Sequence, residues 1–288
     1  ALLARPGRPA AAGAPAGAAL RGLGEQQHIW IVRHGDKYSS YPDCPAKPLC
    51  YDKELMGDNP PLTPCGIQQA EFTTKYLQNA SASLGGITSV VASPFSRTLQ
   101  TALPLARALG LGLKVEYLVS EANQPEGPFR ELNVKSGEET VAQLREIGNR
   151  WDLGYGSPPI PTPEDYQLYG QRVQKAARVL KTRFPPGSGN VAIFTHATTS
   201  FSIAYGLCHG EDSEDETLQS FVEHQRPIGS GGLIHVTLDG SGKCVAVGQT
   251  ENVAKADCGK TEPFKCNFAD FPSWYWPHSK GRGPGACH

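Results

Sequence analysis

An arginine and a histidine follow the first strongly apolar run of the chain, within residues 29–36. The four consecutive apolar residues that precede Arg33 and His34 predict a short buried strand. Ligands bind beyond the carboxyl ends of strands in open α/β sheets, so both side chains are expected to face a pocket. An arginine could bind an anion there, and a histidine could act as a nucleophile or proton carrier. The pair could equally be a surface or capping pair.

A second histidine occupies the same kind of position later in the chain. Residues 190–195 form another apolar run rich in β-branched side chains, and His196 follows it directly. Residues 197–200 then open a predicted helix, which gives the order strand, histidine, helix. Two histidines that each end a buried strand are expected to share one site.

A second arginine lies between these two segments. Residues 87–92 predict a strand, and Ser93 followed by Pro94 is typical of a helix start with a capping hydroxyl. Arg97 would then lie in the first turn of that helix, and its side chain would lean back toward the strand ends. Because a helix N-terminus also favours anions, this segment is expected to complete the anion site.

Taken together, the three segments resemble the histidine phosphatase (phosphoglycerate mutase-like) superfamily, branch 1. The resemblance covers roughly residues 28–210. The cysteine within residues 62–66 and the residues around His196 look more like the eukaryotic phosphatases related to the ubiquitin-associated, SH3-containing group and to steroid-phosphate phosphatase. The residues that match the superfamily are Arg33-His34-Gly35, Ser93-Pro94, Arg97, Gln100-Thr101-Ala102 and Thr195-His196.

The resemblance implies a phosphomonoesterase that acts through a phosphohistidine intermediate. In that chemistry His34 attacks phosphorus and water later cleaves the phosphohistidine. Arg33 and Arg97 would bind the phosphoryl oxygens in forked, charge-assisted hydrogen bonds, and His196 would add a third donor. No metal or other cofactor is expected, because these side chains supply the positive charge that phosphoryl transfer requires.

The leaving alkoxide needs a proton, so a carboxylic acid should reach the pocket. Glu121 is the preferred candidate, because it follows a predicted strand over residues 114–118 and matches the position of the acid in the family. Asp36, Glu126 and Glu131 are the competing carboxylates. Glu121 could also be a solvated loop residue.

Two departures from the family narrow the expected activity. Mutases of the superfamily carry an Arg-His-Gly-x-Ser-x-x-Asn run, whereas Gly35 is followed here by residues 36–41 without that asparagine. No Gly-rich nucleotide loop of the Walker type is present, which excludes the kinase-fused bisphosphatases. A phosphatase is therefore expected, and the alternatives are a mutase-type phosphotransferase and an inactive phosphate-binding homologue. Both arginines and both histidines are present, which argues against the inactive homologue.

The expected fold class is α/β, a three-layer α/β/α sandwich around a mostly parallel sheet. Residues 1–27 are rich in Ala, Gly, Pro and Arg and predict a disordered or targeting segment. The phosphatase domain is expected over residues 28–250, with 251–288 as a tail packed on it. The other predicted elements are helices over 67–77, 94–109, 137–151, 162–184 and 199–207, and a hairpin of 231–238 with 244–248 joined at Asp239-Gly240.

Composition limits the partners. The net charge of −1 gives no basic field for nucleic acid, and no apolar stretch approaches the roughly 20 residues of a membrane span, so a soluble protein is expected. Its compartment, cytoplasmic, organellar or secreted, stays open. Eight cysteines without a CxxC pair do not suit zinc, and could be disulfides or reduced buried thiols.

The expected partner is a small phosphorylated substrate, with no nucleic acid and no membrane span. Aromatic residues lie in the two irregular segments that are expected to line the pocket, which suits a substrate with an apolar or aromatic body. They could equally be packing residues. These aromatic residues are Tyr38, Tyr41, Tyr51, Trp151 and Tyr155.

Overall fold

Nine strands and four helices make up the part of the chain that the computed structural model describes, which is residues 26–37, 39–40, 50–51, 60–121, 151–152, 166–209 and 228–250. The helices are α1 (Pro64–Ala82), α2 (Ser96–Ala108), α3 (Tyr166–Arg183) and α4 (Ala197–His209), with a 3-10 turn at Tyr117–Val119. The strands are β1 (Gln27–Arg33), β2 (Ser39–Ser40), β3 (Cys50–Tyr51), β4 (Ile87–Ala92), β5 (Leu113–Val115), β6 (Trp151–Asp152), β7 (Asn190–Thr195), β8 (Leu233–Leu238) and β9 (Cys244–Thr250).

Seven of the strands form one sheet in the order β6-β5-β4-β7-β1-β8-β9. The pairs from β6 to β1 are parallel, and β8 and β9 add two antiparallel pairs. The carboxyl ends of β1, β4 and β7 therefore meet at one sheet edge. Backbone hydrogen bonds continue past these ends, from His34 N to Thr195 O at 3.0 Å and from Ser93 N to Phe194 O at 3.0 Å. This continuation brings His34, Ser93 and His196 to the same level.

Helices cover both faces of the sheet. Successive strand residues point to opposite faces, so alternate residues of β1 pack against different helices. On one face Ile29 and Ile31 pack with buried residues of α3 and α4. On the other, Trp30 and Val32 pack with Leu77 of α1 and with buried residues of α2. The predicted three-layer α/β/α arrangement around a mostly parallel sheet is confirmed.

The start predicted for α2 at Ser93-Pro94 is wrong. The helix begins at Ser96 with Phe95 as its N-cap, and no side chain caps it. The Ser93 hydroxyl instead lies 3.0 Å from Nε2 of His196. The hydroxyl contacts His196, which follows the neighbouring strand β7, instead of capping the helix. The first helical turn starts two residues later than the sequence signal indicated. Arg97 remains in that first turn.

The strand predicted over residues 114–118 is also wrong at its carboxyl end. It stops at Val115, and the Glu116 carboxylate accepts a hydrogen bond from Leu118 N at 2.9 Å, which caps the 3-10 turn. Glu116 is held from the other side by an ion pair with Arg183 of α3. This side-chain cap replaces the strand ladder and turns the chain toward Glu121.

The remaining predicted elements fit where they are described. Thr63 is the N-cap of α1, as expected, and its hydroxyl accepts from Gly66 N, although the helix is longer at both ends. The hairpin of β8 and β9 is confirmed. The predicted helix over 137–151 ends in β6, and its other residues lie outside the described ranges. Other predictions that lie outside them concern residues 1–25, the side chains of Tyr38, Tyr41, Tyr51, Trp151 and Tyr155, residues 162–165 and the tail over 251–288.

A disulfide joins Cys208 of α4 to Cys244 at the start of β9, 36 residues apart in sequence. Cys65 is disulfide-bonded as well. Of the two open interpretations of the cysteines, these bonds favour the disulfide one. No helix in the described ranges is both long and apolar enough to cross a bilayer.

Removing the Cys208–Cys244 bridge in a Cys208→Ser, Cys244→Ser variant is expected to lower the free energy of unfolding. Chain entropy for a loop of this length predicts a loss of about 4 kcal/mol. Urea unfolding of the non-reduced proteins measures it. Alkylation of both cysteines in unfolded, unreduced wild-type protein would contradict the bridge.

Candidate active site

His34 leaves the carboxyl end of β1 with its side chain 4% exposed. Its Nδ1 lies 2.7 Å from the Gly35 carbonyl oxygen. Because a carbonyl only accepts, Nδ1 carries the proton and Nε2 keeps its lone pair. Burial, followed by the charges of Arg97 and Arg33, holds the pKa of His34 well below its usual value. The ring is therefore neutral at physiological pH and can act as a nucleophile.

Arg97 is fully buried in the first turn of α2. Its Nη2 lies 2.5 Å from Oε2 of Glu121 and 3.3 Å from Nδ1 of His196. The guanidinium carbon sits 4.5 Å from the centre of the Phe95 ring. The helix thus delivers a fixed positive charge to the strand ends, as the sequence predicted.

His196 stands beside His34 beyond the end of β7, with ring centres 5.4 Å apart. Its Nδ1 lies 3.3 Å from Oε2 of Glu121, and the Ser93 hydroxyl faces Nε2. Burial lowers the pKa of His196 well below its usual value, and the charges of Arg97 and Arg172 act in the same direction. The neutral ring carries one N–H. In one tautomer Nδ1 donates to Glu121 and Nε2 accepts from Ser93, and in the other Nδ1 accepts from Arg97 and Nε2 donates to Ser93.

Glu121 follows the 3-10 turn, and its side chain is 33% exposed, so solvent reaches it. Burial raises the pKa of its carboxyl. The Arg97 guanidinium, through its charge and its hydrogen bond, and the Lys37 charge outweigh that effect and leave the pKa below its usual value. The carboxylate is therefore ionised at neutral pH.

Arg33 occupies the last position of β1, and its Nη1 donates to the Ile228 carbonyl at 2.8 Å. Burial lowers the pKa of Arg33 to about 10, so the guanidinium stays charged at neutral pH. Its charge acts on the pKa of both His34 and His196. Arg33 thus contributes positive potential to the cluster.

Lys37 is a charged residue of the candidate site that the sequence patterns did not predict. Burial lowers the pKa of its ammonium, and the nearby Arg97 charge lowers it further, while Glu121 acts in the opposite direction. Its own charge in turn lowers the pKa of Glu121 and of His196. A basic residue three positions after His34 was the available signal.

Asp36, one of the competing acids, is engaged elsewhere. Its Oδ2 accepts from the Thr63 hydroxyl at 2.7 Å, and its backbone N–H donates to Oε1 of Gln69 at 2.6 Å. The carboxylate thus ties the segment after His34 to the start of α1. Glu126 and Glu131 lie outside the described residues.

Thr101 of α2 holds the segment that carries His34 from the other side. Its hydroxyl accepts from Gly35 N at 3.0 Å and donates to the Arg97 carbonyl at 2.6 Å. One hydroxyl therefore links the backbone next to His34 to the backbone of Arg97.

Within the described ranges, no group of three or more His, Cys, Asp or Glu side chains could hold a metal ion.

Two glycines let the backbone after His34 touch the first turn of α1. A Cβ on Gly35 would lie 2.6 Å from the Gly66 oxygen, and one on Gly66 would lie 2.0 Å from the Asp36 oxygen. Both contacts are with backbone, so neither can be relieved by a rotating side chain. The two segments must shift if either glycine gains a side chain.

A Gly66→Ala variant is expected to lose activity because the clash displaces the segment that carries His34. A displacement of about 1 Å at a reacting group costs on the order of 100-fold in kcat/KM. Gly248→Ala is the matched control, since a Cβ there meets nothing within 4 Å. Kinetics and thermal melts of both variants measure the effect. Equal kcat/KM values for the two would contradict the steric argument.

Histidine and arginine side chains grouped beyond the carboxyl ends of strands in a mostly parallel sheet are suited to bind an anion. Residues 29–221 match the family model described as Histidine phosphatase superfamily (branch 1). The chain belongs to this superfamily. No curated protein sequence matches the chain significantly.

Solved structures share the fold. The ecdysone phosphate phosphatase EPPase from Bombix mori, in complex with tungstate, is 20% identical, with a TM-score of 0.55, over 73% of this chain and 88% of that chain. A candidate alpha-ribazole-5'-P phosphatase from Escherichia coli is 15% identical, with a TM-score of 0.50, over 79% and 97%. At these identities the likeness concerns the fold.

Proposed function

We propose that this protein is a metal-independent phosphomonoesterase that acts through a phosphohistidine on His34. The observation that carries the proposal is the neutral, buried His34, whose Nδ1 is tied to the Gly35 carbonyl so that Nε2 keeps a lone pair. Arg33, Arg97 and His196 surround it with positive charge or proton donors. Membership of the histidine phosphatase superfamily supports a phosphohydrolase.

Substrate binding is the first step. The phosphoryl oxygens take hydrogen bonds from Arg97 and His196, while Arg33 and Lys37 add positive potential. Glu121 now occupies Arg97 at 2.5 Å and His196 at 3.3 Å. A bound phosphate therefore competes with the Glu121 carboxylate for both partners and releases it toward the ester oxygen.

Phosphoryl transfer follows. Nε2 of His34 forms a bond to phosphorus as the bond to the ester oxygen breaks, and the leaving oxygen takes a proton from Glu121. The dianion offsets the arginine charge that holds the pKa of Glu121 low, so the carboxyl takes up a proton from solvent when substrate binds. In the second half, Glu121 accepts a proton from the water that attacks phosphorus and frees His34.

The finer assignment concerns the substrate. The proposed relatives are the eukaryotic phosphatases of the ubiquitin-associated, SH3-containing and steroid-phosphate group, and one structural neighbour is an ecdysone phosphate phosphatase. The proposed substrate is a small phosphate ester with an apolar or aromatic body. The catalytic domain is proposed to span 28–250, followed by the tail over 251–288. Comparing kcat/KM for a steroid phosphate and glycerol phosphate tests the preference.

The activity itself is tested with 4-nitrophenyl phosphate and a chelator. Wild-type protein is expected to turn over the ester without metal. An alkaline quench should preserve a phosphoryl group on the peptide that contains His34, and mild acid should remove it. Absence of turnover by folded protein, or turnover that chelation abolishes, would overturn the proposal.

A further inference from the structure

Arg172, in the middle of α3, is a buried arginine directed at the backbone before Glu121. Its side chain is 6% exposed. Its Nη1 donates to the carbonyls of Leu118 at 2.9 Å and Ser120 at 2.8 Å, and its Nη2 donates to the Glu121 carbonyl at 2.9 Å. One guanidinium therefore fixes three carbonyls within four residues.

Residues next to His196 hold the same segment. The Thr195 hydroxyl donates to the Val119 carbonyl at 2.5 Å, and the Thr199 hydroxyl donates to the Ser120 carbonyl at 3.2 Å. Every carbonyl from residue 118 to residue 121 thus accepts a side-chain hydrogen bond. The two threonines bind the carbonyls of Val119 and Ser120. The carbonyl of Glu121 itself is bound by Arg172.

An arginine suits this position better than a lysine. A planar fork of donors can meet several carbonyls at once, whereas a lysine ammonium is a compact point charge on a flexible stem. The guanidinium carbon lies 4.9 Å from the centre of the Tyr169 ring, and the Tyr169 hydroxyl is 2.8 Å from the Thr199 hydroxyl. The fork is therefore itself held in place, which preorganises the segment before substrate arrives.

From this geometry we infer that Arg172 is a positioning residue that holds the Glu121 carboxyl where the leaving oxygen of the substrate departs. The inference rests on the proposed function, because it assigns Arg172 a part in the same proton transfer. Arg172 binds the Ser120 and Glu121 carbonyls, on either side of the Glu121 Cα, and the Glu121 side chain extends from there to Arg97. A second effect acts on His196, whose pKa the charge of Arg172 helps to lower.

A misplaced proton donor has a specific kinetic signature. 4-Nitrophenolate leaves without much help, whereas an alkoxide needs the proton. Arg172→Met is therefore expected to lower kcat/KM on an alkyl phosphate by about 100-fold and on 4-nitrophenyl phosphate by less than about 5-fold. Arg172→Lys, which keeps the charge but loses the fork, is expected to show the same selectivity in weaker form.

Two further variants serve as references for the Arg172 kinetics. Glu121→Gln sets the full size of the leaving-group effect. Arg183→Met is the structural control, because it breaks the ion pair to Glu116 at the other end of the same turn without touching Glu121. It is expected to lower the melting temperature while leaving the ratio of the two kcat/KM values at its wild-type level.

The kinetic results distinguish failure of the Arg172 inference from failure of the proposed function. Selective loss in Arg172→Met and Arg172→Lys, matching the direction of Glu121→Gln, supports the inference. Equal loss on both esters, or none, in folded Arg172 variants overturns it while the phosphatase assignment stands, provided that Glu121→Gln is selective. If Arg172→Met does not fold, Arg172→Lys decides alone by the same criterion. Absence of turnover in the wild type, by contrast, overturns the proposed function and the inference with it.

Discussion

His34→Ala is expected to lower kcat/KM on 4-nitrophenyl phosphate by about 10⁵- to 10⁶-fold, the scale seen when an enzyme loses its nucleophile. The reason is geometric, because the only atom offered to phosphorus in this proposal is Nε2 of His34. The same variant should retain no phosphoryl group after an alkaline quench. Steady-state kinetics and peptide mass spectrometry measure both effects.

His28→Ala is the matched control for this experiment. His28 lies in β1, the strand that His34 directly follows, and is also buried, but its Nδ1 faces Nε2 of His235 at 3.1 Å rather than the candidate site. It is expected to keep wild-type kinetics once its folding is verified. A phosphoryl group found on the His34→Ala protein would assign the nucleophile to another residue.

Arg97→Lys is expected to lower kcat/KM by about 10²- to 10³-fold, the scale seen when one preorganised hydrogen-bond donor at a developing charge is removed. Lysine keeps the charge, so the loss isolates the forked hydrogen bonding that Arg97 is proposed to give the phosphoryl oxygens. Kinetics on 4-nitrophenyl phosphate measure it, with Arg107→Lys as the control.

Arg107 suits that comparison since it is an exposed arginine in the last turn of the same helix. Its replacement is expected to leave kcat/KM unchanged. A tenfold or smaller loss in Arg97→Lys would show that charge alone suffices at this position. A loss of the same size in both variants would indicate a general effect on α2.

Much of the fold follows from local sequence patterns. The apolar runs of β1 and β7 predict buried strands because they are long enough and rich in β-branched residues. The stripe of Tyr169, Val173 and Leu180 predicts the inner face of α3, and all three side chains are buried. The shared level of His34 and His196 follows from the parallel pairing of their strands.

Other features depend on contacts between distant segments, which no local pattern encodes. Ser93 has the sequence signature of a helix cap, but His196, 103 residues away, faces its hydroxyl. Arg172 looks like an ordinary charge on an amphipathic helix, because the carbonyls that it binds lie more than 50 residues earlier in the chain. Glu116 ends a strand that alternation would have continued, since a capping carboxylate competes with the ladder.

The direction of β8 and β9 determines which parts of the hairpin lie near the candidate site and which lie far from it. Leu233 pairs with Val32 close to the candidate site, whereas Leu238 pairs with Gln27 at the far end of β1. The connecting turn, closed by Asp239 Oδ1 accepting from Ser241 N at 2.8 Å and Lys243 N at 3.0 Å, therefore lies at the opposite edge of the sheet. Thr250, paired with Leu233, returns the chain to the site edge. A surface anchor grafted at the turn would leave the site facing the medium, whereas one grafted at Thr250 would crowd its entrance.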